Sequence, residues 1–154
     1  KDKIQVQLAS VMNPDAIPFV GRKATNNGIS DYIEYDSSCI NDGGVLTLAL
    51  DGSTGATFYQ HHNFASGQNI WILKPRKEKI KDFSPEIALY LKTTVSQAVI
   101  DYSYNLSLTK TRLKNIEILL PLSDNDEVDI EYIHKVMSNV LNIEYVQTVS
   151  ERRY

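Results

Sequence analysis

Three histidines, a single cysteine and one Gly-rich turn carrying Asp, Ser and Thr hold most of the side chains in this 154-residue chain that could do chemistry. His61 and His62 are neighbours. In an extended segment neighbouring side chains point to opposite faces, which suits exposed histidines at a strand end better than a shared metal ion. His134 has Glu131 three residues before it, but Ile130 and Ser138, one helical turn away on either side, add no strong ligand. That pair reads as a solvated helix surface. Cys39 stands in no nucleophilic motif and reads as a small structural hydrophobe. The stretch Asp51-Gly52-Ser53-Thr54-Gly55 could cradle an anion through backbone N–H groups. It lacks the Gly-Lys-Ser/Thr ending of a phosphate-binding loop, however, and is followed by strand-like sequence. No spaced carboxylate pair with a lysine advertises a nuclease. The residues give an enzyme no positive support and call for no metal and no cofactor.

Cations are better organised. Lys74, Arg76, Lys77, Lys79 and Lys81 fall within eight residues, and Lys110, Arg112 and Lys114 alternate in a second short run. A formal net charge of -3 looks unfavourable for a partner made of phosphates, because Lys and Arg normally supply much of that affinity. The acidity is local: residues 1–121 carry 13 basic against 12 acidic side chains, while residues 122–154 carry 3 against 7. Basic patches can attract DNA on a protein that is acidic in sum.

The elements that must position these groups change character along the chain. Candidate strands run at Ile4 to Leu8, Ile17 to Val20, Tyr32 to Tyr35, Val45 to Leu50, Thr57 to Gln60 and Ile70 to Leu73, separated by Asn27-Gly28, Asp42-Gly43-Gly44 and the Asp51 to Gly55 turn. Ser84-Pro85-Glu86 then supplies an N-cap, a first-turn proline and an acidic residue, and Ile87, Leu91, Val95 and Ala98 follow at helical spacing. The spacing predicts a helix from Pro85 to Tyr102. Asn115 to Leu122 reads as one buried strand stopped by Pro121, and Asp129 caps a second helix with Ile133, Val136, Met137, Val140 and Leu141 on one side. The expected class is α+β, strands first.

Length and apolar content fit one domain over residues 1–154, with no repeat or linker to divide it. One cysteine excludes an internal disulfide framework, and no apolar stretch approaches the roughly 20 residues of a membrane helix. A soluble, reducing, cytoplasmic setting is expected. The first residue is Lys1 rather than Met, which fits a piece of a longer polypeptide or one trimmed at its start.

Three stretches recur together in order: PFVGRKATNNGISDYI (Pro18 to Ile33), GGVLTLALDGSTGATFYQHHNFASGQNIWIL (Gly43 to Leu73) and TRLKNIEILLPL (Thr111 to Leu122). This succession resembles the target-recognition domains of type I restriction specificity subunits and of BcgI-like restriction-modification subunits. Asp129-Ile-Glu-Tyr-Ile adds an acidic residue leading a helix, with Ile133 where that family usually has methionine. The resemblance implies a strongly curved β-rich core with flanking helices, and loops that enter the major groove of double-stranded DNA. It places methyl transfer and cleavage elsewhere, in a methyltransferase subunit and a restriction subunit. The expectation is then a fragment or half of a larger specificity subunit, paired with a second recognition domain or as a homodimer.

With that resemblance, Arg22, Lys23, Thr25, Asn26 and Asn27 become a candidate recognition loop, since Arg grips guanine O6/N7 and Asn adenine N6/N7 in bidentate pairs. Ser53 and Thr54 in the Gly52 to Gly55 turn, with Gln60, His61 and His62, are secondary base-contact candidates. Lys74, Arg76, Lys77, Lys79, Lys110 and Arg112 suit phosphates. A solvated hairpin turn and a surface linker are the plain alternatives for the loop and the basic run. Two other functions stand beside DNA reading: a protein-interaction module docking a methylase or nuclease subunit, and a small nuclease.

Overall fold

Glycine and Asx punctuation cuts the first half of the chain into short strands, and the computed structural model describes them within residues 16–34, 39–103 and 107–140. The strands are β1 (Ile17–Val20), β2 (Ile29–Ile33), β3 (Val45–Ala49), β4 (Thr57–Gln60), β5 (Ala65–Ser66) and β6 (Ile70–Leu73). Three helices follow: α1 (Pro85–Ala98), α2 (Lys110–Lys114) and α3 (Ile130–Ser138). The chain is thus a mixed α and β fold with two small sheets, ordered β2-β1-β5 and β4-β3-β6. In the first, β1 runs antiparallel to β2 and parallel to β5. In the second, β3 is antiparallel to both neighbours, with Leu46 opposite Tyr59 and Leu73.

β3 is the hub because all five of its residues are buried. Alternation divides them between two faces. Leu46 packs with Ile87, Ala88, Leu91, Ile133 and Met137 of the helices, and Leu48 with Val99 and Leu108. On the other face Val45 meets Val20 of β1 and Phe64. The second sheet is therefore held between the helices and the first sheet, and Leu48→Ala should cost about 2–5 kcal/mol through the cavity it leaves.

The helix starts follow the capping chemistry of the sequence. Ser84 Oγ accepts from the Ile87 N–H at 3.4 Å, and Asp129 Oδ1 from the Tyr132 N–H at 2.8 Å. The first helix ends earlier than its spacing predicts: Val99 leaves the helical region, and a 3-10 turn at Ile100–Ser103 replaces the last turn. The alternating Lys110, Arg112 and Lys114 lie on a short helix, capped by Thr109.

The expected buried strand from Asn115 to Leu122 is overturned. No strand of the described residues lies beside it, Pro121 has no N–H to give a ladder, and its one bridge joins Leu122 to Val128. Ile118 and Leu120 pack inward while Leu119 is 90% exposed, so the alternation of a half-buried strand persists without a sheet. Tyr32 to Tyr35 is also corrected, to a strand that begins at Ile29 and ends at Ile33. The short β5 went unread, having just two residues and no periodicity. Met137 is buried with Ile133, whereas Val140 is largely exposed. Ile4 to Leu8, Leu141 and the tail lie outside the described residues.

Candidate nucleic-acid interface

The loop after β1 is built to be anchored. Asn26 and Asn27 adopt positive φ (51° and 50°), which Asn tolerates better than most residues, and close a 3-10 turn at Gly28. Gly28 also has positive φ, and a Cβ there would sit 3.2 Å from the Phe58 ring, so the loop lies against β4 because this position has no side chain. Asn27 donates to the Tyr59 carbonyl at 3.0 Å and to Gln60 Oε1 at 3.3 Å. Gln60 in return donates to the Asn27 carbonyl at 2.9 Å and to Thr47 Oγ1 at 3.1 Å. Gln60 is 4% exposed, so its amide stands behind the loop as a brace instead of on the surface where a base edge could reach it.

At the other end of the loop, Arg22 is gripped by the turn between β3 and β4. The Ser53 N–H donates to the Arg22 carbonyl at 3.1 Å, and Arg22 Nη1 donates to both carboxylate oxygens of Asp51 at 2.9 Å. A Cβ on Gly52 would fall 3.0 Å from Arg22 Cβ, and Gly52 has φ +67°, so glycine is required twice over. Asn69 Nδ2 donates to Asp51 Oδ2 at 2.7 Å, and its carbonyl accepts from the Leu50 N–H. The Arg22 hydrogen bond is the chief reason the Asp51 carboxyl lies below its ordinary value of 3.8, with Asn69 assisting and slight burial opposing. Both Arg22 and Asp51 remain about half exposed, at 50% and 45%.

The candidates thus fall at the two opposite ends of the second sheet and along the loop that joins them. Arg22, Ser53 and Thr54 come together where β3 ends and β6 begins; Lys23, Thr25 and Asn26 are exposed along the loop; Asn27, Gln60, His61 and His62 sit where β4 ends. The two ends are separated by a four-residue strand, about 13 Å at the usual rise. The His61 and His62 rings lie 4.6 Å apart, edge to face, so they do not point to opposite sides as a continued strand would direct them. Burial, then the neighbouring His61, depresses the His62 pKa.

Lys74, Arg76, Lys77 and Lys79 follow β6, at the His61 end, all exposed and without a side-chain hydrogen bond or ion pair to another described residue. Lys74, Arg76 and Lys79 also border an apolar cavity of about 490 Å³ on the helix side, lined by Leu73, Phe83, Ile118 and Leu120 among others. Lys110 Nζ lies over the Trp71 ring at 5.4 Å, and Arg112 donates to the Ser107 carbonyl at 2.7 Å. His134 and Glu131 are exposed on α3, and Cys39 is partly exposed. Asp51 and Asn69 are the members that sequence reasoning missed; the acidic residue opening a Gly-rich turn, in a chain with an Arg-bearing loop, was the one available hint.

These features define a β scaffold that carries a polar, cation-containing face on its loops. The chain belongs to the family described as the type I restriction modification DNA specificity domain, which matches residues 6–148. It is similar to the "Type II restriction enzyme BgcI specificity subunit S.BcgI" of Heyndrickxia coagulans, 28% identical over 130 residues, covering 84% of this chain and 37% of that protein. It is also similar to the "Putative type I specificity subunit S.MpnORF201P" of Mycoplasma pneumoniae, 26% identical over 109 residues, covering 71% of this chain and 44% of that protein. The chain therefore spans less than half the length of either relative. No solved structure matches it.

Proposed function

We propose that this chain reads the sequence of duplex DNA for a restriction-modification system, directing methyltransferase and endonuclease activities held elsewhere to a target half-site. The observation that carries the reading is the junction of the Arg22 to Asn27 loop with the Asp51 to Gly55 turn. It holds a half-exposed arginine and a row of exposed polar side chains on a fixed backbone. Fixed donors are what base readout needs, because discrimination depends on matching a rigid pattern of acceptors in the major groove. The basic run from Lys74 to Lys79 supplies phosphate contacts from the far end of the sheet. The two ends are about 13 Å apart, comparable with a major groove about 12 Å wide, so bases and a flanking phosphate row can be touched together.

Membership of the specificity-domain family supports the reading, as does similarity to two proteins named as specificity subunits. On it, the chain is non-catalytic, cytoplasmic and curved at its core, and works beside a methyltransferase subunit and a second recognition domain or copy. No helix of the described residues is long and apolar enough to cross a membrane.

The test is selection of bound duplexes from a random pool at low and moderate salt, with and without the methyltransferase subunit. Enrichment of a motif of a few base pairs is the expected result. Binding without enrichment would reduce the role to that of a basic surface, and indifference to DNA alongside tight binding to the subunit would make the chain an interaction module.

A further inference from the structure

Resting on the DNA-reading function above, we infer that Asp51, backed by Asn69, is a positioning residue that aims Arg22 at a single guanine. Nη1 of Arg22 is taken by the two Asp51 oxygens, both at 2.9 Å. The carboxylate therefore occupies one nitrogen of the guanidinium and leaves the Nε–Nη2 side, which presents two parallel N–H donors. No other described residue accepts from that side. Two parallel donors match guanine O6 and N7, and no other base offers two adjacent acceptors in the major groove.

The pair has the properties of a mount. Asp51 cannot swing freely, because Asn69 Nδ2 holds its Oδ2 at 2.7 Å and the Asn69 carbonyl accepts from the Leu50 N–H at 2.9 Å. Arg22 is held along the turn because the Ser53 N–H donates to its carbonyl at 3.1 Å, and Gly52, where a Cβ would fall 3.0 Å from Arg22 Cβ, lets the turn come this close. A long side chain that would otherwise be ordered at the moment of binding is ordered beforehand, so more of the contact energy appears as preference for guanine. A rival reading of the same geometry is a lock, in which Asp51 competes with DNA for the arginine. The two readings predict opposite signs.

The experiment is duplex selection by the full-length polypeptide, comparing the natural protein with Arg22→Ala, Asp51→Ala and Asn69→Ala. The natural protein should enrich a motif with one G·C pair whose preference Arg22→Ala removes. Asp51→Ala should lower the preference at that same pair about tenfold and leave the other positions alone, a loss within the range of one bidentate contact. Asn69→Ala should lower it at the same pair by a smaller factor, which serves if Asp51→Ala does not fold. Unchanged preference at the Arg22-dependent pair in both Asp51 and Asn69 variants, or tighter binding by them, overturns the positioning role while leaving the DNA-reading function intact. An Arg22-dependent pair other than G·C overturns it too, as does a motif untouched by Arg22→Ala. No motif from the natural protein would remove the function itself.

Discussion

The two cationic regions at opposite ends of the second sheet are held in opposite ways. Arg22 is fixed through its carbonyl and its guanidinium by one turn. Lys74, Arg76, Lys77 and Lys79 lie exposed after β6 with no side-chain hydrogen bond or ion pair to another described residue. A fixed fork can discriminate between bases, whereas a mobile charge serves any phosphate it finds. The difference teaches that the number of cations says little about readout; what the backbone does around each one says more.

The largest expected effect breaks the fixed side of the comparison. Arg22→Ala should relax preference at one base pair by about 1–3 kcal/mol, and Arg22→Lys should do nearly the same while keeping the charge. Competition between specific and random duplexes checks both; equal loss on the two DNAs would mean that Arg22 acts as a plain cation. Next is the brace beneath the loop. Gln60→Ala removes one of the two hydrogen bonds of the buried Thr47 hydroxyl and the return bond to the Asn27 carbonyl, and should lower stability by about 1–3 kcal/mol in denaturant unfolding. An unchanged midpoint would show that the loop is held without it.

On the mobile side, Lys77→Ala should weaken binding to all sequences alike and reduce the slope of log affinity against log salt by about 1. A change in sequence preference instead would place Lys77 among the readers. The smallest effects are those of pH. The Asp51 pKa is depressed on folding, so its stabilisation is full above its ordinary value of 3.8 and is lost only as pH falls through the lower folded value. The Arg22-dependent preference should therefore stay level between about pH 8 and 5. The His62 pKa is also depressed, so the slope has the same sign in a higher window: the unfolded chain takes up the proton first, and stability declines slightly as pH drops below the ordinary 6.5. His62→Gln should flatten that decline in melting curves recorded from neutral to mildly acid pH.

Much of the scaffold was legible because its signals are local. Thr57 to Gln60 and Ile70 to Leu73 emerge with the expected bounds, and Ser84 and Asp129 cap the helices that their side chains announce. Asn115 to Leu122 misled for the same reason: its alternation is real, but a strand requires a neighbour, and the sequence of one segment says nothing of what lies beside it. The candidate site was readable as a set of residue types and unreadable as an arrangement. Arg22 and Asp51 are 29 residues apart, and Asp51 and Asn69 are 18 apart, so their meeting depends on how the sheets stack. Gln60 showed the reverse error: a polar residue at a strand end suggested a surface contact, yet its hydrogen bonds draw it inside.

The contact between Asn27 and β4 bears on how such a protein could acquire a new target. β4 is an edge strand, and since Gln60 directs its carbonyl to Gly44, the Tyr59 carbonyl faces away from β3, where Asn27 covers it. An uncovered edge invites pairing with other chains and aggregation. The loop is thus a sheath for the sheet as well as a carrier of readers, and its positions are not equally free to vary. Lys23, Thr25 and the exposed face of the loop can be randomised in a search for altered targets, whereas Asn27 and Gly28 belong in every library unchanged, because losing them trades recognition for insolubility.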